Sequence, residues 1–462
     1  MTQKNETTIL VLSLLITAAL LGAGFWWFTS RSGVNVGGLV SPKNNSGGSP
    51  EQVSLGNKIL IAADTNSSKQ AGVEAFAKGD FQNAKTQFQA SLQQNRNDPE
   101  ALIYLNNVSI ANSNPVKIAV SVPIGGNLNV AKEVLRGVAQ AQTEAIRDNK
   151  LNVQVEIAND DNNPALAKQI ATGFVRDTSV LAVVGHNSSD ATIAAAPEYQ
   201  NGKLVMISPT SDAKALSGIG SYVFRTIPSV RDQAEVLANY ALKTARKNNI
   251  AICVDSQSQS SQSLKDEFTT AISTKGGKVA PINCDVSAPT FNANAVISPA
   301  ISQGVDALLL LPSVDRLNQA LDVAQANQRR LSLFGSSTFY TIQTLQQGQA
   351  AVNGMVMVVA WHPQAITGNS FAANAVKLWG GEVNWRSATA YDATKAIITG
   401  LQQNKTREGL QQVLSNPGFV ANGATGAIGF LPTGDRNSTA VLVKIQPGPI
   451  SKTGFDFVPL KP

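Results

Sequence analysis

The chain has 462 residues, 43% hydrophobic and 15% charged, with 36 Gly, 20 Pro, 2 Cys and 2 His. At about 100–200 residues per domain, that length predicts two or three domains, and the normal apolar fraction excludes wholesale disorder. Two cysteines exclude a disulfide scaffold, two histidines starve most metal and triad chemistry, and a net charge of +6 without a basic run leaves no nucleic-acid stripe.

Ile9 to Phe28 form an uncharged stretch of 20 residues. At 1.5 Å per residue this spans about 30 Å, the thickness of a bilayer core. Trp26 and Trp27 close it where amphipathic rings favour the interface, and no small-residue cleavage site follows. Residues 1–33 therefore read as an uncleaved signal anchor, with the body outside the cytoplasm. Residues 34–58, rich in Gly, Ser, Asn and Pro, read as a flexible tether.

Residues 59–114 carry helical spacing, with Gly72, Phe76, Ala84, Phe88 and Leu92 on inward faces and turns at Gly79-Asp80 and Asn97-Asp98-Pro99. This segment resembles a tetratricopeptide helical hairpin. One unit alone falls short of the roughly three that such arrays need, so a spacer packed on the next domain is the competing reading.

From Pro115 onward, short β-branched runs alternate with amphipathic helices. The runs are Lys117–Pro123, Val153–Ala158, Val180–Gly185, Leu204–Ser208, Ile250–Asp255, Val305–Leu311 and Leu331–Gly335. The helices include 130–148, 164–177, 230–246 and 316–328. This alternation predicts an α/β protein with two doubly wound parallel-sheet lobes, because about 350 residues exceed one such sheet. The return to strands over Ile428–Ile445 argues against a (β/α)8 barrel.

Ligands in open α/β sheets bind beyond the carboxyl ends of strands. Two hydroxyl-rich loops fall there: Gly185-His186-Asn187-Ser188-Ser189-Asp190 and Ser208-Pro209-Thr210-Ser211-Asp212. Free N–H groups and hydroxyls at a helix start suit a carboxylate, although Ser and Asp also cap helices for purely structural reasons. His186 reads as a hydrogen-bonded loop residue, and Asp160 and Asp161 as caps of the helix at Pro164. Cys253 and Cys284 lie on apolar runs and read as buried thiols.

Lys117 to Pro228 resembles the leucine/isoleucine/valine-binding family of ABC-transporter receptors, the type I periplasmic binding proteins. The matching features are KIAVSVP, Arg136-Gly137-Val138, Asn159-Asp160-Asp161, VVGHNSS, MISPTS and Phe224-Arg225, with weaker matches at Tyr391-Asp392-Ala393 and 429–435. The resemblance implies lobes at 115–230 with 361–436 and 231–360 with 437–462, hinged around a small polar solute. It also implies an amino-acid ligand, an ABC permease partner, a periplasmic location and no cofactor. Ser189 would hold the carboxylate, with Ser188, Thr210, Ser211 and Asp212 beside it. Ser313 and Ser337 match positions where the branched-chain receptors carry an aromatic and an acid. Ser337 cannot neutralise an ammonium, so Asp212 is expected to take that contact, with a plain turn cap as the alternative. Asn127, Gln259, Trp361 and Tyr391 are further candidates for the cleft wall, against turn or core roles. A membrane-anchored sensor of the same fold is the rival function. An enzyme finds no nucleophile, phosphate-loop or metal motif.

Overall fold

The computed structural model describes residues 52–366 and 368–460. The expected anchor and most of the tether lie outside these residues; among the described residues no helix is long and apolar enough to cross a membrane. After a short strand, β1 (Val53–Ser54), come three helices: α1 (Ser67–Ala77), α2 (Phe81–Gln94) and α3 (Pro99–Ser109). Each starts on a side-chain cap. Asn66, Asp80 and Asp98 accept from the backbone N–H of Lys69, Asn83 and Ala101, and Pro99 occupies the first turn of α3. Gly72 permits the close approach of α1 and α2, since a Cβ there would lie 2.8 Å from the Phe88 ring. No repeat array is shown among the described residues; the expected hairpin is part of a three-helix unit.

That unit is continuous with the rest of the core. Phe88, Ile103 and Tyr104 share one buried cluster with residues of the following α/β body. Inside it, Lys69 Nζ pairs with Asp98 at 2.8 Å and Glu100 at 2.7 Å, all three side chains fully buried. Glu100 also accepts from Tyr104 Oη and from the backbone N–H of Leu60 and Ile61. Asn107 ties the unit to the neighbouring sheet: its amide donates to the carbonyls of Leu55 and Val155, and its Oδ1 accepts from Val155 N–H and from Gln142.

The first sheet contains β2 (Val116–Val122), β3 (Val153–Asn159), β4 (Val180–Val184), β5 (Val205–Ser208) and β6 (Val223–Arg225), in the order β1-β3-β2-β4-β5-β6. Helices α4 (Leu128–Arg147), α5 (Pro164–Arg176) and α6 (Ser189–Asn201) connect them. Val120 of β2 lies opposite Ile157 and Val184 on its two parallel neighbours; β4 and β5 are almost wholly buried, whereas β3 alternates, with Gln154 and Glu156 half-buried on its second face. Only β1 runs antiparallel. The helix expected over 230–246 is regular as α7 (Val230–Asn239) and continues as a widened turn to Thr244.

The second sheet contains β7 (Asn249–Val254), β8 (Lys278–Val279), β9 (Ala307–Leu311), β10 (Ser332–Gly335) and β11 (Val356–Val359). Helices α8 (Gln259–Thr274), α9 (Asn294–Ser302), α10 (Leu317–Asn327) and α11 (Ile342–Gly348) accompany it. The chain then returns to the first sheet through α12 (Phe371–Trp379), α13 (Trp385–Gln403) and α14 (Arg407–Leu414). A hairpin, β12 (Ala421–Gly423) and β13 (Gly426–Ile428), precedes β14 (Val441–Pro447) and β15 (Phe455–Pro459), which complete the second sheet as β15-β14-β11-β10-β9-β7-β8. Strands β14 and β15 are antiparallel, so both sheets are mixed and mostly parallel rather than purely parallel. Helix α13 crosses α4 at Gly137, where a Cβ would lie 2.2 Å from the Ser387 carbonyl. The backbone thus passes between the sheets three times: after β6, after β11 and after β13.

Cys253 and Cys284 are buried but form a disulfide, which corrects the expectation of free thiols. Cys284 does not sit on an adjacent parallel strand. It lies in the irregular segment after β8, which folds back on the end of β7: Val254 N–H donates to Cys284 O, and Val286 N–H donates to Val254 O. This brings the Cα atoms to 4.6 Å, within bridging range. The bridge closes a sequence separation of 31. The double variant Cys253→Ala/Cys284→Ala is expected to lose about 2–4 kcal/mol of stability. Urea titrations of the oxidised, reduced and double-variant chains check this; coincident midpoints would show that the bridge contributes nothing.

Candidate functional site

A cavity of about 390 Å³ lies between the carboxyl ends of the two sheets. One wall comes from the loops after β3, β4 and β5, the other from those after β7, β9 and β10, with the start of α13 closing the side. This is where strand order places a crevice in open α/β sheets.

Six of the sequence candidates line it: Ser188, Ser189, Thr210, Asp212, Ser313 and Ser337. Ser188 caps α6, its hydroxyl oxygen accepting from Ala191 N–H. Ser189 Oγ accepts from Ala213 N–H at 3.1 Å, which leaves its O–H free to donate into the cavity. Thr210 Oγ1 spends its proton on Asn187 O at 2.8 Å, which leaves its lone pairs free to accept. Asp212 accepts from Gln233 Nε2 at 3.2 Å and, across the gap, from Ser260 Oγ at 2.5 Å. The walls meet at two further points. Gln259 N–H donates to Asp190, and Lys214 reaches the second wall through its N–H to Ser263 Oγ and its Nζ to Glu267.

Five candidates do not line the cavity, each for a local reason. Ser211 is turned inward, where Thr192 Oγ1 and the carbonyls of His186 and Asn187 occupy its hydroxyl. Asn127 caps α4 by accepting from Val130 N–H. Gln259 opens α8 and contributes its backbone to Asp190. Trp361 and Tyr391 both pack on Phe371, at ring distances of 5.5 and 4.8 Å, and Tyr391 Oη donates to Glu144. These two aromatics are core.

The loop carrying Ser188 and Ser189 is braced from behind. His186 Nδ1 lies 2.6 Å from Asp160 and its Nε2 3.0 Å from Tyr199 Oη, all fully buried. Ser121 donates to the same Asp160 oxygen. Burial pushes the Asp160 carboxyl up, but its hydrogen bonds, led by His186, outweigh that and hold it below the usual carboxylate range. Asp160 is therefore a brace; Asn163, accepting from the N–H of Ala165 and Leu166, caps α5 instead. Among the described residues no His/Cys/Asp/Glu cluster is placed to hold a metal ion.

Among the lining residues that the sequence reading missed, Trp385 and Arg386 stand apart by their chemistry. Trp385 and Arg386 open α13 behind the Asn384 cap. Trp385 Nε1 donates to Ser337 O at 3.1 Å. The Arg386 guanidinium carbon sits 4.5 Å from the Trp385 ring centroid. Burial lowers the Arg386 pKa to about 10, still cationic at neutral pH. A Trp-Arg pair just after a helix cap was the available signal, but nothing local tied it to the loops two hundred residues earlier.

A family model described as periplasmic binding protein matches residues 115–448. The chain is 28% identical over 195 residues to a leucine-, isoleucine-, valine-, threonine- and alanine-binding protein of Pseudomonas aeruginosa, covering 41% of this chain and 52% of that one. It is 23% identical over 348 residues to the Leu/Ile/Val-binding protein BraC3 of Rhizobium johnstonii, covering 72% and 93%. A solved leucine-binding protein of Thermotoga maritima shares the fold, with TM-score 0.66, 21% identity and coverage of 75% and 99%. The chain belongs to the periplasmic binding protein family, a family of binding proteins rather than enzymes.

Proposed function

We propose that this periplasmic binding protein clamps an amino acid in the cavity and delivers it to an ABC permease. The carrying observation is the complementary set on the first wall: a free hydroxyl donor at Ser189, a free acceptor at Thr210 and a carboxylate at Asp212. These suit a zwitterion, the donor meeting its carboxylate and the acceptors its ammonium. Ser188, Ser313 and Ser337 supply further polar contacts. The relatives named for leucine, isoleucine and valine support the amino-acid class. We assign one lobe to 115–230 with 361–436 and the other to 231–360 with 437–462. Residues 1–33 serve as a membrane anchor, 34–52 as a tether that ends where β1 joins the first sheet, and 59–114 as a helical unit of tetratricopeptide type. The disulfide supports an oxidising, extracytoplasmic setting.

A thermal-shift and calorimetric screen of amino acids on the purified chain tests this reading. A true ligand at a hundred times its dissociation constant stabilises the fold by about 2.7 kcal/mol. Asp212→Ala is expected to abolish that shift while leaving the unliganded melting temperature within a few degrees. Unchanged affinity in Asp212→Ala would remove the ammonium assignment, and absence of any amino-acid binding would remove the ligand class.

A further inference from the structure

We infer that the solute carries an acidic group beyond its α-carboxylate, received by the Arg386 guanidinium, so that the ligand class is the acidic amino acids. This rests on the reading above that the cavity is the amino-acid site. Arg386 lines the cavity and is only 3% exposed, yet its side chain makes no hydrogen bond or ion pair with any described residue, and its Nη1 is buried without a partner. A desolvated guanidinium with open donors is costly unless something supplies acceptors. The Trp385 face offsets only part of this.

The neighbouring carboxylates are committed elsewhere. Glu133, whose charge acts on Arg386, gives one oxygen to Arg136 and the other to Ser387 Oγ and Asn384 N–H. Asp190, Asp212 and Asp255 accept from Gln259 N–H, from Ser260 with Gln233, and from Gln257 N–H. None lies within ion-pair distance of Arg386. These three acids have donors, Asp315 is an exposed acid of the lining that makes no ion pair, and Arg386, the buried cation of the lining beside the half-buried Arg316, has no acceptor. A carboxylate is planar and matches the guanidinium fork bidentately; an aliphatic side chain would leave the donors open. With the Ser189 hydroxyl on the first wall and Arg386 at the start of α13, the cavity offers two separate places for negative charge.

The test compares glutamate, aspartate, leucine and the amine-free dicarboxylates succinate and glutarate by calorimetry on the full chain and its Arg386→Met and Arg386→Lys variants. Glutamate or aspartate is expected to bind at least tenfold tighter than leucine. Arg386→Met should weaken that binding at least thirtyfold, and Arg386→Lys should restore part of it. Without ligand, Arg386→Met should melt at or above the parent temperature, because an unpaired buried charge is gone; a lower melting temperature would mark Arg386 as structural and overturn the inference. Leucine binding as tightly as glutamate, unaffected by Arg386→Met, would overturn it while leaving the amino-acid reading standing. Arg386-dependent binding of succinate or glutarate without any amino acid would support the anion site and overturn the amino-acid reading.

Discussion

Replacing Arg225 with Met is expected to destabilise the protein by about 3–5 kcal/mol and to weaken solute binding at the same time. Arg225 ends β6 and is 2% exposed. Its Nε donates to Asp435 Oδ1 at 2.8 Å, its Nη2 contacts the same oxygen, and its Nη1 donates to the carbonyl of Ala213 at 2.9 Å. Asp435 in turn accepts from the hydroxyls of Ser217 and Thr433. The guanidinium therefore clasps the 211–217 segment, which follows Thr210 and contains Asp212, to the 433–435 turn. Gly434 completes that turn at φ +78°, so close to Val223 O that a Cβ would lie 2.2 Å away. The variant leaves a buried carboxylate without its cation and releases one rim of the cavity. Urea denaturation and solute titration read the two effects. Arg225→Met/Asp435→Asn should recover part of the stability, since the stranded charge is then removed. Parent-like stability in Arg225→Met would show that the pair contributes little.

Lys69→Met is expected to cost a similar 3–5 kcal/mol, through a different part of the fold. It strands the Asp98 and Glu100 carboxylates with no exposure to water. Burial already pushes the Asp98 carboxyl up; burial also lowers the Lys69 ammonium, but attraction first to Glu100 and then to Asp98 outweighs that and raises it. Without Lys69 the Asp98 carboxyl moves up further. A carboxyl whose folded pKa exceeds its unfolded value holds its proton better in the folded state, so stability falls as pH rises through that window. The deficit against the parent should therefore be largest near pH 8 and shrink towards pH 5. Denaturation midpoints at the two pH values check this, and a pH-independent deficit would contradict it.

Much of the architecture was legible because its signals are local. Apolar β-branched runs bounded by capped helices announce parallel strands, and the loops after β4 and β5 fall at strand ends by sequence position alone, which placed Ser188, Ser189, Thr210 and Asp212 at the cavity. Where the reading failed, the deciding contacts were distant or ambiguous. Asn127 and Ser211 have the chemistry of ligand-binding residues and spend it on a cap and on carbonyls. Trp361 and Tyr391 pack on Phe371, a partner that periodicity does not reveal. The disulfide depends on an irregular return of the chain after β8, and Asp160 serves His186 rather than the helix beside it. Arg386 was invisible because its character comes from what does not touch it.

The stitching of α3 to β3 by Asn107 has a mechanical consequence. The amide bonds to both backbone groups of Val155 and to Gln142 of α4, so the three-helix unit and the first sheet form a single stiff piece. In any opening of the clamp, the helical unit would move with the first sheet, relative to the second. A cross-link between α2 and α12 would then leave opening unhindered, whereas one between α6 and α8 would lock it.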